Sequence, residues 1–309
     1  MKQLSPEVKP PSGGGPLSAL LRIVRGRYAL RGWAVVSLIM NIVIVVTGGL
    51  VRLTGSGLGC PTWPRCTDDS YVSHPELGIH GAIEFGNRLL TLVLVTGAAL
   101  TFISALLYRE NGRPRSDLRW LAGGLALGIP LQGVIGGITV LTQLNPYLVG
   151  LHLLLSMVLI ALAVFLVRKS WQLLPAGASG VAVGLTRVTF VLMWLAVWLG
   201  TLVTGSGPHA GDENAPRNGL DAMLLTRLHS SVVYATVAAS LVCLWLLRSR
   251  AVLLLLLVEI IQVGIGVAQY QLGLPIWLVA LHLLGASLAI ATATNLMLSV
   301  IRRAARQPS

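Results

Sequence analysis

Gln132-Gly133-Val134-Ile135-Gly136 leads, twenty residues on from its glutamine, to the end of Leu148-Val149-Gly150-Leu151-His152. Gln262-Val263-Gly264-Ile265-Gly266 leads in the same way to Leu278-Val279-Ala280-Leu281-His282. The offset between the two copies is 130 residues throughout, without a gap. Two glutamines and two histidines kept in register argue for an internal repeat over chance similarity between low-complexity helices. A weaker echo pairs Thr47-Gly48-Gly49 with Thr204-Gly205-Ser206, each at the same end of an earlier apolar run.

Working outward, apolar runs of the roughly 20 residues that a bilayer requires occur at about 33–53, 78–107, 119–141, 147–167, 187–205, 223–247, 251–271 and 276–301. Over the whole chain of 309 residues, 54% are hydrophobic and only 11% are charged, with a mean hydropathy of +0.77. Soluble domains carry about a quarter charged residues, so lipid is the expected solvent. The net charge of +12 does not indicate nucleic acid, because the basic residues flank apolar runs and form no single face. Three cysteines are too few for a disulfide scaffold. The polar first 31 residues contain no apolar core, so no cleavable signal peptide is expected.

Lys and Arg placement sets the orientation. With the N-terminus inside, eighteen of the 23 basic residues fall in inner segments, from Lys2 and Lys9 through Arg109–Arg119 and Arg168-Lys169 to Arg306. The outer loops carry Asp68, Asp69, Glu76, Asp212, Glu213 and Asp221 instead. Both termini are expected in the cytoplasm, with the protein in the plasma membrane. Four helices per half is an even number, so both halves run the same way. The expected fold is therefore an all-α integral membrane protein of eight transmembrane helices. They form two four-helix bundles related by a pseudo-twofold axis along the membrane normal. The expected divisions are a cytoplasmic tail (1–32), an N-terminal half (33–168), a cytoplasmic linker (169–186), a C-terminal half (187–301) and a second tail (302–309).

Ionisable groups inside a span are costly and usually have a task. His152, His229 and His282 each fall some five to seven residues into runs that enter from the outside, roughly 10 Å deep at 1.5 Å per residue. Three imidazoles at one depth on three helices suggest haem iron ligands, since a bundle interior suits a flat cofactor. His229 and His282 would clamp one haem in the C-terminal half. A lone histidine would read as a hydrogen-bonded helix contact; the set favours ligation. No tetrahedral group of ligands gathers for zinc. In the N-terminal half, His152 has no obvious histidine partner. His80, Glu84 and Asn87 share one face of the second run, with Arg88 four residues after Glu84. Glu84 reads equally as an acid–base group and as an ion pair with Arg88. Glu259, in the seventh run, is a weaker candidate because it lies nearer the inner side. His74 and His209 fall in outer loops without an assigned role.

Cys60-Pro-Thr-Trp-Pro-Arg-Cys66 occupies the first outer loop, where an oxidising compartment allows a disulfide, either a clip or a redox pair. Cys243 reads as packing. Arg52, Arg65 and Arg217 lie outside against the charge bias and could pair with carboxylates of a haem or with the nearby loop acids.

The run Thr47-Gly-Gly-Leu-Val-Arg52-Leu-Thr-Gly-Ser-Gly-Leu-Gly-Cys60-Pro-Thr-Trp-Pro-Arg-Cys66 resembles the haem A synthases. So do Thr204-Gly-Ser-Gly-Pro-His-Ala-Gly-Asp212, Leu228-His229 and Leu281-His282. The resemblance extends over about 33–300. It implies an oxidoreductase of haem biosynthesis that oxidises the C8 methyl of haem O to a formyl group, giving haem A for terminal oxidases. It further implies haem b on His229 and His282, a substrate haem on His152, Glu84 as the acting acid, and Cys60 and Cys66 as the family's loop cysteines; Arg52, Arg88 and Arg217 are the candidates for propionate or site support. The family's Glu-x-x-His-Arg motif here reads Glu84-Phe-Gly-Asn87-Arg88, so Asn87 stands at the second substrate-site position. Three readings follow: a substrate haem held by His152 alone with its other face open, a substitute ligand in His80, or a chain that binds haem b for electron transfer without synthase activity. The first is preferred, because a haem that must react gains from an open position. Expected partners are the haem substrate, membrane lipid, a haem O synthase, an electron acceptor and further copies of the chain, with no nucleic acid. A transporter built from parallel repeats fits less well, since its polar sites would lie at mid-membrane.

Overall fold

The computed structural model describes residue 21, residues 23–173, residue 175 and residues 178–300. The expected tails, with Lys2, Lys9, Arg22, Arg302, Arg303 and Arg306, lie outside or at the edge of the described residues. Among the described residues eight helices are long and apolar enough to cross a membrane, and the chain is a multi-pass membrane protein. They are α1 (Arg27–Leu53), α2 (Gly78–Leu107), α3 (Ser116–Leu141), α4 (Pro146–Ser170), α5 (Gly180–Ser206), α6 (Ala222–Leu247), α7 (Arg250–Gln271) and α8 (Ile276–Val300).

Several ends differ from the apolar runs. Helix α1 begins at Arg27 instead of 33, and α5 at Gly180 instead of 187. Arg27 and Arg31 extend α1 because a charged head can stay in water while its stem covers apolar surface, whereas α5 gains the uncharged residues 180–186, started by the Ser179 side chain that accepts from the Ala182 amide. Arg31, for example, donates to the carbonyl of Ser170 at 3.1 Å. The starts of later helices follow ordinary capping chemistry. Asn145 before Pro146, Ser179, Asp221 and Ser249 each accept a hydrogen bond from the first-turn amides of the helix that follows. Between α2 and α3 a two-strand hairpin pairs Arg109–Glu110 with Arg113–Pro114. Its turn, Asn111-Gly112, has both residues at positive φ, as a two-residue hairpin demands. Arg115 there pairs with Glu110 at 2.5 Å and with Asp117 at 2.8 Å, and Asp117 also faces Lys169. The Asp117 hydrogen bond foremost holds the guanidinium above its ordinary pKa.

Helix α1 packs on α2 and α4, and α3 lies between α2 and α4. Likewise α5 packs on α6 and α8, and α7 lies between those two. Across the two groups, α1 meets α8, and α4 meets both α5 and α8. One buried cluster joins Leu30, Ala34, Leu94, Ala98, Leu118, Leu125 and Leu166. A second joins Met157, Ile160, Met193, Val252, Leu255, Ile290 and Leu296. Nearly all of these residues lie in the helix halves remote from the Cys60–Cys66 loop. Close packing is concentrated there, and the candidate site residues project at the other end.

The turn between α3 and α4 and the turn between α7 and α8 share a geometry. Leu144 and Leu274 both have positive φ, at 58° and 61°. The Leu144 amide donates to Thr139 at 2.8 Å and the Leu274 amide to Gln269 at 2.7 Å. These positions correspond at the 130-residue offset.

Candidate functional site

His152 lies six residues into α4, His229 seven into α6 and His282 six into α8, so all three are at one depth, about 10 Å along their axes. Each ring abuts a glycine of the preceding helix. A Cβ on Gly136 would lie 3.4 Å from Cε1 of His152. The same atom on Gly200 would lie 3.4 Å from Cε1 of His229, and on Gly266 3.6 Å from Cε1 of His282. A fourth contact of this type sets Gly48 of α1 against Asn87 of α2, 3.9 Å from Nδ2. Gly136 and Gly266 belong to the repeated sequence fragments, but their facing the histidines was not read from the sequence. The facing pairs match Gly48 with Gly200, where Gly48-Gly49-Leu50-Val51 parallels Gly200-Thr201-Leu202-Val203. They do not follow the Thr47/Thr204 echo.

The rings of His229 and His282 face each other, with centroids 6.4 Å apart and planes at 74°. Nδ1 of His229 lies 2.9 Å from the carbonyl oxygen of Ala196. A carbonyl only accepts, so Nδ1 carries the proton and Nε2 keeps its lone pair. Nδ1 of His152 and of His282 are buried without a partner among the described residues. Gln132 reaches from α3 to α4, donating to the carbonyl of His152 at 3.0 Å and to the Ser156 hydroxyl at 2.5 Å.

Glu84 is buried, and both of its oxygens are engaged. Oε2 accepts from the amide of Cys60 at 2.7 Å, and Oε1 accepts from Arg88 at 3.1 and 2.5 Å. Arg88 also donates to the carbonyls of Cys60, Thr62 and Arg65. The ion pair therefore exists and is also the anchor of the cysteine loop, a part that spacing alone did not reveal. Cys60 and Cys66 are disulfide-bonded and fully buried. The Trp63 ring lies flat on Gly137 of α3, where a Cβ would come within 2.3 Å of it.

His80 lies apart from these residues. It is exposed, and its Nδ1 is 2.9 Å from the Ser56 hydroxyl. His209 donates through Nε2 to the carbonyl of Leu274 at 2.9 Å, and His74 is exposed. Arg52 donates to the carbonyls of His209 (2.7 Å) and Thr204 (3.0 Å). Arg217 donates to those of Ala215 and Pro208, and Arg65 to that of Asp68. With the Gly57 amide bonded to the Gly211 carbonyl at 2.8 Å, these ties join the loop after α1 to the loop after α5. Glu259 is buried; its Oε1 accepts from Ser240 at 2.9 Å, and its Oε2 has no partner among the described residues. Cys243 is a free, buried thiol beside Thr189. Among the described residues no three His, Cys, Asp or Glu side chains gather as a metal cluster.

A sequence profile of the family described as Cytochrome oxidase assembly protein matches residues 31–294. A Heme A synthase of Listeria monocytogenes is 31% identical over 183 residues, which cover 56% of this chain and 58% of that protein. One from Methylorubrum populi is 30% identical, over 59% of this chain and 55% of its own length. With both, the match spans less than three fifths of the relative. One from Azorhizobium caulinodans is 28% identical across 91% of this chain and 95% of its own. With a profile match from the first helix to the last and similar proteins of one name, the chain belongs to the cytochrome oxidase assembly family, that of the haem A synthases.

Proposed function

We propose that this chain oxidises the C8 methyl group of haem O to a formyl group, giving haem A, in the plasma membrane with both termini cytoplasmic. The observation that carries the reading is the opposed pair of His229 and His282. A ligating imidazole nitrogen sits about 2 Å from its metal and about 1 Å from its own ring centre, so two imidazoles sharing one metal have centroids about 6 Å apart. The observed 6.4 Å fits a haem iron between them, and the Ala196 carbonyl sets the tautomer that leaves Nε2 for ligation. The glycines facing His152, His229 and His282 let each ring pack directly on the neighbouring helix, which fixes its orientation toward a cofactor.

In this reading the two groups of four helices are repeats about an axis along the membrane normal. The C-terminal half holds haem b on His229 and His282, and the N-terminal half receives the substrate haem on His152, with Asn87 across from it. Bound haem supplies the redox chemistry. The chain's residues do the rest. His152 orients the substrate and Asn87 leaves its second face open. Glu84 sits one helical turn from Asn87 and places a carboxylate beside the reacting edge, steadied by Arg88 and the Cys60 amide. The buried disulfide loop, with Trp63 on Gly137, shields that edge from water. Arg52 and Arg217 gather the outer loops over both halves and offer their remaining N–H groups to propionates. With water as the oxygen donor, converting a methyl to a formyl group releases two electron pairs and four protons, so an electron acceptor must meet the protein. A haem O synthase would supply the substrate.

The reading is tested by His152→Ala in cells that supply haem O. Haem A should disappear while the bis-imidazole spectrum of the C-terminal half remains. Undiminished haem A would remove the N-terminal half as the substrate site. The pairing of His229 with His282 also suits an electron-transfer haem protein, and the production of haem A separates the two readings.

A further inference from the structure

Gly48, Gly136, Gly200 and Gly266 each face a polar side chain of the helix that follows; three of these side chains are imidazoles and the fourth is the carboxamide of Asn87. A carboxamide is a poor iron ligand, but it offers two donor hydrogens and an acceptor oxygen. Here the acceptor end is taken. The hydroxyl of Thr47, next to Gly48 in α1, donates to Oδ1 at 2.9 Å, closer than its 3.2 Å contact with the Ile44 carbonyl. Nδ2 is the Asn87 atom nearest Gly48. It donates to no acceptor among the described residues, and the side chain is half-buried. That leaves it free to donate to a ligand that enters beside it.

Resting on the open-faced substrate haem described above, we propose that Asn87 is a donor aimed at that open face. Its Nδ2–H hydrogen-bonds a small ligand, water or a diatomic, that enters opposite His152. A histidine at this position would close the face. Asparagine keeps it open and adds a dipole, and the Thr47 hydrogen bond stops the amide from turning its oxygen inward. Ligands that gather negative charge on their outer atom are favoured by such a donor.

Carbon monoxide is a suitable probe, because its stretching frequency reports a nearby donor without any turnover. The full-length chain, carrying haem in both halves, is reduced with dithionite and exposed to the gas. The bis-imidazole haem of the C-terminal half is closed to it, and its low-spin bands report an intact fold in every variant. The proposal predicts one carbonyl complex per chain, absent in His152→Ala. In Asn87→Leu the C–O stretch should rise, and the ferric form should bind cyanide about tenfold more weakly, the effect of one hydrogen bond. Thr47→Val, which frees the amide to rotate, should split or broaden the band, and Asn87→His should suppress carbonyl formation. An unchanged stretch in Asn87→Leu overturns the donor role and leaves the open face standing. If the wild-type chain forms no carbonyl complex, the open face and the donor role both fall.

Discussion

The imidazoles of His229 on α6 and His282 on α8 stand 6.4 Å apart, centre to centre, at 74°, with His229 fixed by the Ala196 carbonyl at 2.9 Å. These residues lie 53 positions apart in the chain, and they meet because α5 packs on both α6 and α8.

If the pair clamps one iron, either single replacement removes the bis-imidazole state. His229→Ala and His282→Ala should each lose the low-spin absorption of the C-terminal half and most of its haem. The double variant should be little worse than either single one, because ligands acting as a unit are not additive. Absorption spectra and the haem-to-protein ratio check this. Retention of the low-spin bands in either single variant would contradict it.

Glu84 and Arg88 anchor the cysteine loop. Glu84→Gln keeps an acceptor for the Cys60 amide but removes the charge that Arg88 meets. A loss of about 1–3 kcal/mol is expected, the range for a buried polar group left poorly paired. Arg88→Ala also frees three carbonyls, so the loop should loosen further. Thermal unfolding in detergent measures the first effect. A red shift of tryptophan emission, as Trp63 leaves Gly137, reports the second.

Neighbouring glycines should respond differently to one added methyl. Gly137→Ala places a Cβ 2.3 Å from the Trp63 ring, which is held by the loop and cannot simply rotate away. Overpacking of this kind costs about 1–3 kcal/mol. Gly136→Ala places one 3.4 Å from His152, which a small ring shift absorbs. Melting temperatures should fall clearly for the first and little for the second, whereas the N-terminal haem spectrum should change more for the second.

What could be read from the sequence followed from periodicity and cost. Eight apolar runs and the common depth of three histidines appear in the structure as helices and as rings at one level, and the 130-residue offset recurs in the two turns at Leu144 and Leu274. The helix ends were misplaced where Arg27 and Arg31 extend an apolar run, because snorkelling stems hide in hydropathy. The engagement of Glu84 by the Cys60 amide was not legible, since an i, i+4 pair predicts Arg88 and says nothing of a loop 24 residues away. The facing of Gly48 and Asn87 depends on how α1 and α2 pack, which spacing within one helix does not determine.

The disulfide is fully buried, with Cys60 held at both its amide and its carbonyl. It should therefore act as a clip. Cys60→Ser with Cys66→Ser should cost about 2 kcal/mol, the chain-entropy value for so short a loop. Haem binding and haem A output should persist at permissive temperature. Abolished output from a protein that still folds and binds haem in both halves would assign the pair a redox role instead.

The central claim is conversion of haem O to haem A, and the direct measurement is extraction and chromatography of total haems from a host that makes haem O but no haem A. The account predicts that haem A appears only when this chain is expressed and is lost in His152→Ala. Haem b co-purifying with a folded chain, with haem O present, an electron acceptor supplied and no haem A formed, would contradict it and leave a haem-binding electron-transfer protein.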